Sequence, residues 1–287
     1  MKPSAEDFKS IESAWCPGCG NFPILEALKK AYVALEIPPH RLLMVSGIGQ
    51  AAKLPHYLKC NAFNGLHGRA LPVAVAAKTA NKDLTVVVSG GDGDTYGEGG
   101  NHFIHNLRRN PDITLVVHDN QIYGLTKGQA SPTSDDGFVT KAQPHGAYSS
   151  RFNPLAVAIT LGCGFVARGF AGDIEHLSGL IREAISYRGF SIIDVLQPCV
   201  SFNKKNTYKW YKERVYKLEE SGYNPSDKRA AFDKTLEWNG KIPIGVIHKD
   251  DGSKPVFTDH FEFLKDRPLV EGPIDTAKLK NILEKFK

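Results

Sequence analysis

Residues 84–129, LTVVVSGGDGDTYGEGGNHFIHNLRRNPDITLVVHDNQIYGLTKGQ, constrain the fold more than any other stretch. Residues 84–89 are apolar and β-branched and end on a glycine cluster, the pattern of a strand buried on both faces of a parallel sheet. Gly90, Gly91 and Gly93 allow a tight turn, 97–109 can form a crossover helix, and 113–117 repeats the strand signature before HDNQIYG. Such a strand–loop–helix–strand unit puts Asp92 and Asn120 at the carboxyl ends of two parallel strands, where open α/β sheets place ligands. A carboxylate and an amide oxygen beside a glycine-lined, helix-capped pocket are hard donors, suited to Mg²⁺ bridging to a diphosphate.

The flanking sequence extends the α/β pattern. Helical spacing covers 22–35, 71–79, 154–161 and 174–187, and apolar runs at 41–45, 164–166 and 190–196 read as strands, the last closing the sheet. After 41–45 comes SGIGQAAK, a GxGxxA that also fits a dinucleotide fingerprint. Two features oppose that reading. No Asp or Glu occurs between Glu36 and Asp83 to take a ribose, and Pro55 falls where the capping helix should continue. From 203 onward the texture changes to long polar helices, an extended piece at 242–247 and a loop at 266–273, without a chemical motif. The reading is a domain at 1–202 and an extension at 203–287 that serves packing or partner contact.

Five cysteines, an odd set, argue against a disulfide framework and for metal or redox chemistry. Cys16 and Cys19 form a CxxC, whose spacing leaves an iron–sulfur cluster, a zinc site and a redox pair open. Cys163, in an apolar setting, reads as core. No apolar run approaches the roughly 20 residues of a membrane span, and the polar N-terminus is neither a signal nor a transit peptide, so a cytoplasmic protein is expected. The net charge of +5 is dispersed, which excludes a nucleic-acid footprint and leaves at most a modest field for steering an acidic redox partner.

WCPGCGNF, GGDGDTYGEGGNHF and HDNQIYGLTKGQASPT together resemble the β subunits of 2-oxoacid:ferredoxin oxidoreductases over residues 14–203, with a texture nearer the 2-oxoglutarate type than the pyruvate type. The resemblance implies an α/β, parallel-sheet, pyrophosphate-type fold binding thiamine diphosphate. Asp92, Asn120 and the carbonyl of Ile122 would hold Mg²⁺. Ile48, Gly49, Gln50, Ala51, His67, Gly91, Gly93, Asp94 and Gly124 would approach the cofactor, with Leu125 supporting its bent conformation. Lys53, by default a solvated lysine, would reach the 2-oxoacid carboxylate, and His67, by default structural, would donate to a phosphate oxygen. Cys16, Cys19 and Cys199 would bind a 4Fe–4S cluster. The family often has a third cluster cysteine where this chain has Gln50, a poor iron ligand, so Cys60 is expected to replace it.

The implied reaction is oxidative decarboxylation of a 2-oxoacid with coenzyme A, giving acyl-CoA, carbon dioxide and reduced ferredoxin. Electrons leave singly, hence the nearby cluster. An α subunit would supply the carboxylate for the aminopyrimidine, substrate selection and the coenzyme A site, in a heterodimer or a dimer of heterodimers. A non-oxidative thiamine diphosphate decarboxylase or synthase, and a non-catalytic iron–sulfur subunit, are the alternatives.

Overall fold

The computed structural model describes residues 2–264, 267–272 and 274–286. Strands β1 (Leu42–Ser46), β2 (Asn61–Asn64), β3 (Thr85–Gly91), β4 (Thr114–Asp119), β5 (Phe165–Phe170), β6 (Ser191–Leu196), β7 (Val215–Lys217) and β8 (Ile242–Lys249) join in one sheet. Their order is β2-β1-β3-β4-β6-β5-β8-β7, parallel throughout except where β8 pairs antiparallel with β5. Along β4, β5 and β6 every residue is buried, which is why these strands read as unbroken apolar runs rather than as alternation.

The connecting helices are α1 (Asn21–Ala34), α2 (Ala70–Ala80), α3 (Gly100–Arg109), α4 (Pro154–Thr160) and α5 (Ile174–Ser186). Helices α1 and α5 cover one face, packing Leu28, Ala31 and Tyr32 with Leu177, Ile181 and Ala184 against Val87, Val116 and Ile193. Helices α2, α3 and α4 cover the other through Leu71, Ala74, Phe103, Leu107 and Leu155 over Val86, Val88 and Leu115. Burying each such side chain stabilises by roughly 1.5–3 kcal/mol, so both faces need a helical layer. The parallel-sheet α/β class expected from the sequence is the class observed, with helices on both faces.

Four differences from that expectation follow, the first two with local causes. The crossover helix does not start at 97: residues Gly93–Glu98 form a wide π-type turn first, in which the Gly99 amide donates to the Asp94 carbonyl. Strand β5 runs to Phe170 because the buried Arg168, a charge that interrupts the apolar pattern, is accommodated beside Asp194. The sheet does not close with 190–196: β6 lies between β4 and β5, and β8 and β7 extend the sheet beyond β5. The expected long polar helices after 203 are short, with α6 (Tyr208–Lys212) at 5 residues and α7 (Lys228–Leu236) and α8 (Thr276–Glu284) at 9 each. Of the loop expected at 266–273, Asp266 and Pro273 lie outside the described residues. Among the described residues no helix is long and apolar enough to cross a membrane.

Candidate active site at the carboxyl edge of the sheet

From β1 the chain crosses to β2 on one side and then to β3 on the other, so the β1/β3 boundary is a topological switch point, the usual place for a ligand in an open α/β sheet. The loops after β1, β3 and β4 enclose a cavity of about 90 Å³ there. Its wall comprises Ile48, Gly49, Gln50, Ala51, His67, Gly91, Asp92, Gly93, Asp94, Asn120, Ile122, Tyr123, Gly124, Leu125 and Thr126. The fold thus gathers all the residues singled out for the cofactor and Mg²⁺. Lys53 is not on this wall; it sits on the adjoining 3-10 turn Ala51–Tyr57, where Pro55 prevents a regular α-helix.

Asp92 is 2% exposed, and its Oδ2 accepts from Ser131 Oγ at 2.5 Å and Thr133 Oγ1 at 2.6 Å. Thr133 Oγ1 also lies 2.6 Å from Asp119 Oδ1. Thr133 Oγ1 therefore faces both carboxyl groups of this buried pair. Burial, and then the neighbouring Asp119, push Asp92 up to about 7, and burial with Asp194 raises Asp119. Among the described residues no cationic side chain makes an ion pair with Asp92. A buried carboxylate without a counter-ion, beside the Asn120 amide and the Ile122 carbonyl, is a hard oxygen set that a divalent cation fits. Asn120 is held by its neighbours: its Oδ1 accepts from the Ile122 amide at 3.0 Å and its carbonyl from Asn203 Nδ2 at 3.1 Å.

Asp94 ties two loops together. Its Oδ1 accepts from the amides of Ile48 at 3.0 Å and Gly68 at 2.8 Å, and from His67 Nδ1 at 2.8 Å. Burial raises its pKa, the largest influence, against these hydrogen bonds. With Nδ1 committed to Asp94, the Nε2 edge of His67 is the ring atom left for a ligand. Gly93 is required by close approach: a Cβ there would lie 2.2 Å from Tyr123 Cε1. Leu125 is 42% exposed although large and apolar, so core packing does not account for it.

A second cavity, of about 50 Å³, adjoins the first. Cys16, Cys19 and Cys199 line it with Trp15, Asn21, Gln50, Asn120, Gly124 and Gln197. The CxxC turn closes through the Cys19 amide on the Cys16 carbonyl at 3.0 Å and leads into α1. Cys199 arrives from the end of β6, where the Gly20 amide donates to the Pro198 carbonyl at 3.3 Å; a Cβ on Gly20 would stand 2.6 Å from Gln197 Cγ. Burial first, then Cys199 and Cys16, push the Cys19 thiol up to about 11. A metal deprotonates its thiol ligands by coordination, whatever their pKa in its absence. Buried Gln50 Oε1 and Gln197 Oε1 lack hydrogen-bond partners, so the wall also has uncommitted oxygen. The three thiols share this wall, although among the described residues no three His, Cys, Asp or Glu side chains converge closely enough to hold a single metal ion.

Cys60 is not brought to this cavity. It precedes edge strand β2, its thiol donates to the Asn61 carbonyl at 3.2 Å, and burial pushes it up to about 12 beside Met44 and Tyr32. The expectation that it replaces a ligand at position 50 is not met: residues 61–64 pair with β1 at the sheet edge, and Cys60 does not line the wall that the other three cysteines share. Cys163 is a core residue, as expected, 2% exposed.

Residues the sequence reading passed over include Ser131 and Thr133, which hold Asp92, and Asp119 behind them. Their signal was a run of small hydroxyls, SPTS, directly after the metal loop. Gly47 was missed too; a Cβ there would meet Asp94 Oδ2 at 2.2 Å.

A parallel sheet whose β1, β3 and β4 loops form an oxygen-donor cleft is the architecture of a thiamine diphosphate-binding domain, and the family model of the thiamine pyrophosphate enzyme C-terminal TPP binding domain matches residues 44–195. A second model, for the C terminal part of the pyruvate ferredoxin oxidoreductase beta subunit, matches residues 199–266. The chain is 45% identical over 249 residues to the 2-oxoacid:ferredoxin oxidoreductase subunit beta of Sulfolobus sp, covering 83% of this chain and 82% of that one. It is 36% identical over 265 residues to the 2-oxoglutarate synthase subunit KorB of Methanothermobacter marburgensis, covering 92% and 91%. A solved 2-oxoglutarate:ferredoxin oxidoreductase from Magnetococcus marinus superposes with a TM-score of 0.88 at 36% identity, over 98% of this chain and 96% of that one. The chain belongs to the β subunits of the thiamine-dependent 2-oxoacid:ferredoxin oxidoreductases.

Proposed function

We propose that this chain is the β half of an enzyme that decarboxylates a 2-oxoacid oxidatively with coenzyme A and reduces ferredoxin, with 2-oxoglutarate preferred over pyruvate. The observation that carries the reading is a shared wall: Gln50, Asn120 and Gly124 border both the oxygen-donor cleft and the thiol cavity. Thiamine diphosphate, when bound, supplies the carbanion chemistry. Asp92, Asn120 and the Ile122 carbonyl would hold Mg²⁺ beside the diphosphate, His67 would donate to a phosphate oxygen, and Leu125 would give the cofactor apolar support. Cys16, Cys19 and Cys199, on the far side of the shared wall, would hold an iron–sulfur cluster that supplies one-electron transfer toward ferredoxin. Lys53, on the turn that continues the cofactor loop, meets the substrate carboxylate.

The cavity of about 90 Å³ is well below the roughly 300–1,000 Å³ of complete small-molecule sites, which supports closure by a second chain. Exposed Phe63, Leu66 and Phe202, and Leu279 and Leu283 on α8, give such an α subunit apolar surface to cover. That subunit supplies the carboxylate for the aminopyrimidine, substrate selection and coenzyme A binding. The relatives and the solved structure whose names specify 2-oxoglutarate support the substrate preference. The test is ferredoxin reduction by the purified chain with and without α. The complex alone should turn over, with kcat/KM at least about tenfold higher for 2-oxoglutarate than for pyruvate. Full turnover by the lone chain, or a preference for pyruvate, would contradict the proposal.

A further inference from the structure

We propose that the groove beside the thiol cavity, lined by Tyr208, Lys209 and Lys212, is where a small acidic one-electron carrier docks to take electrons from this chain. The inference rests on the reading above, in which the thiol side of the molecule passes electrons to ferredoxin. Charged residues are dispersed along the chain, but their imbalance is not. Of the 36 basic and 31 acidic residues, residues 199–217 hold six and one, which leaves 30 of each in the rest of the chain. The whole excess of +5 thus lies in one short segment, and that segment begins at Cys199.

The fold places that excess beside the thiol cavity. The groove, of about 400 Å³, is bordered by Tyr208, Lys209 and Lys212 of α6 and by Tyr216 and Lys217 of β7, together with Phe170, the last residue of β5. Tyr208 connects the two sites: its ring packs on Phe170 at a centroid distance of 6.2 Å, and it lies within electrostatic reach of Cys19. Of the acidic residues on the wall, Asp173 is taken up by Lys217 at 2.8 Å, which leaves Glu220 against Lys209 and Lys212. Both lysines are exposed; Glu213 approaches Lys209 only to 3.9 Å, and among the described residues Lys212 makes no ion pair. Charges presented in this way raise the rate of encounter with an oppositely charged protein more than the final affinity, which suits a carrier that must leave once reduced. The apolar surface at Phe63, Leu66 and α8 suits a permanent subunit instead, because obligate interfaces are the more hydrophobic kind.

The test uses the complex of this chain with its partner subunit. It compares the double variant Lys209→Glu, Lys212→Glu with Lys228→Glu, Arg229→Glu, an equal change of charge on α7 that lines neither cavity. With ferredoxin as acceptor at low salt, the groove variant should raise KM at least about tenfold and lose most of the wild type's rise in KM with ionic strength, whereas the α7 variant should stay within about twofold of the wild type. With methyl viologen as acceptor, both variants should turn over as the wild type does. An unchanged ferredoxin KM in the groove variant, an equal loss in the α7 variant, an equal loss with methyl viologen, or a higher KM for coenzyme A in place of ferredoxin would each overturn the assignment. A wild-type complex that reduces methyl viologen but not ferredoxin would overturn the ferredoxin reading itself, and this inference with it.

Discussion

The two adjoining cavities are built from opposite materials by opposite routes. The oxygen cleft is assembled from loops that follow three neighbouring strands, β1, β3 and β4, and its central carboxylate is fully enclosed. The thiol cavity joins the chain before α1 to the chain after β6, and Cys16 remains exposed. Hard donors sit where regular backbone fixes them, and soft donors sit where two distant segments meet. Their shared residues, Gln50, Asn120 and Gly124, are the structural route by which damage on one side can reach the other.

The sharpest way to break this comparison is a pair of ligand removals. Asp92→Ala should weaken Mg²⁺-dependent thiamine diphosphate binding by more than about 100-fold and leave the cluster's visible absorbance unchanged. Cys199→Ser should do the reverse, which calorimetry and absorbance of the same preparations can establish. Loss of both ligands in either variant would mean that the cavities form one cooperative site.

Thr133→Val sharpens the comparison within the cleft. It removes the hydroxyl that Asp92 and Asp119 share, and should weaken Mg²⁺ about 10- to 100-fold without altering iron content. Titration of thiamine diphosphate binding against Mg²⁺ measures it. An unchanged affinity would show that Ser131 alone holds Asp92.

How far the two cavities could be read from the sequence follows from their construction. GGDG, HDNQIYG and the buried runs before them are contiguous, so strand ends, turn and oxygen donors were legible together, to within a residue or two. The CxxC was legible as a motif, but its choice among cluster, zinc and redox pair and its grouping with Cys199 came through family resemblance, because no periodicity relates 16 to 199. Cys60 shows the limit: proximity in sequence to Gln50 suggested a replacement ligand, but Cys60 leads into edge strand β2 and does not line the cavity of the other cysteines. Strand β2 itself, NAFN with every residue exposed, has no burial pattern to read. Strands β7 and β8 pair with the main sheet through an antiparallel contact that an alternating βα pattern does not announce.

A smaller effect concerns how the two sides are bolted together. His118 on β4 is fully buried, its Nδ1 donating to Asn21 Oδ1 at the start of α1 at 2.8 Å and its Nε2 facing Ser89 Oγ on β3 at 3.1 Å. Burial pushes its pKa down to about 3 from an ordinary 6.5. The unfolded chain therefore binds a proton that the folded chain refuses. Stability contributed by neutral His118 is complete above about pH 6.5 and is lost as pH falls toward 3. The loss should reach about 2 kcal/mol at pH 5 relative to pH 7. Denaturant titrations of wild type and His118→Asn should converge as the pH is lowered from 7 to 5. Parallel pH profiles would show that another group governs the acid limb.

The central claim is that a metal cluster sits between the CxxC turn and the end of β6, one wall away from the diphosphate cleft. Anomalous diffraction at the iron edge, from anaerobic crystals of the chain with its partner subunit, tests it most directly. The account predicts iron density inside the cavity of Cys16, Cys19 and Cys199, with Gln50 at its edge and none near Cys60. Iron centred on Cys60, or no iron between the three cysteines, would contradict it.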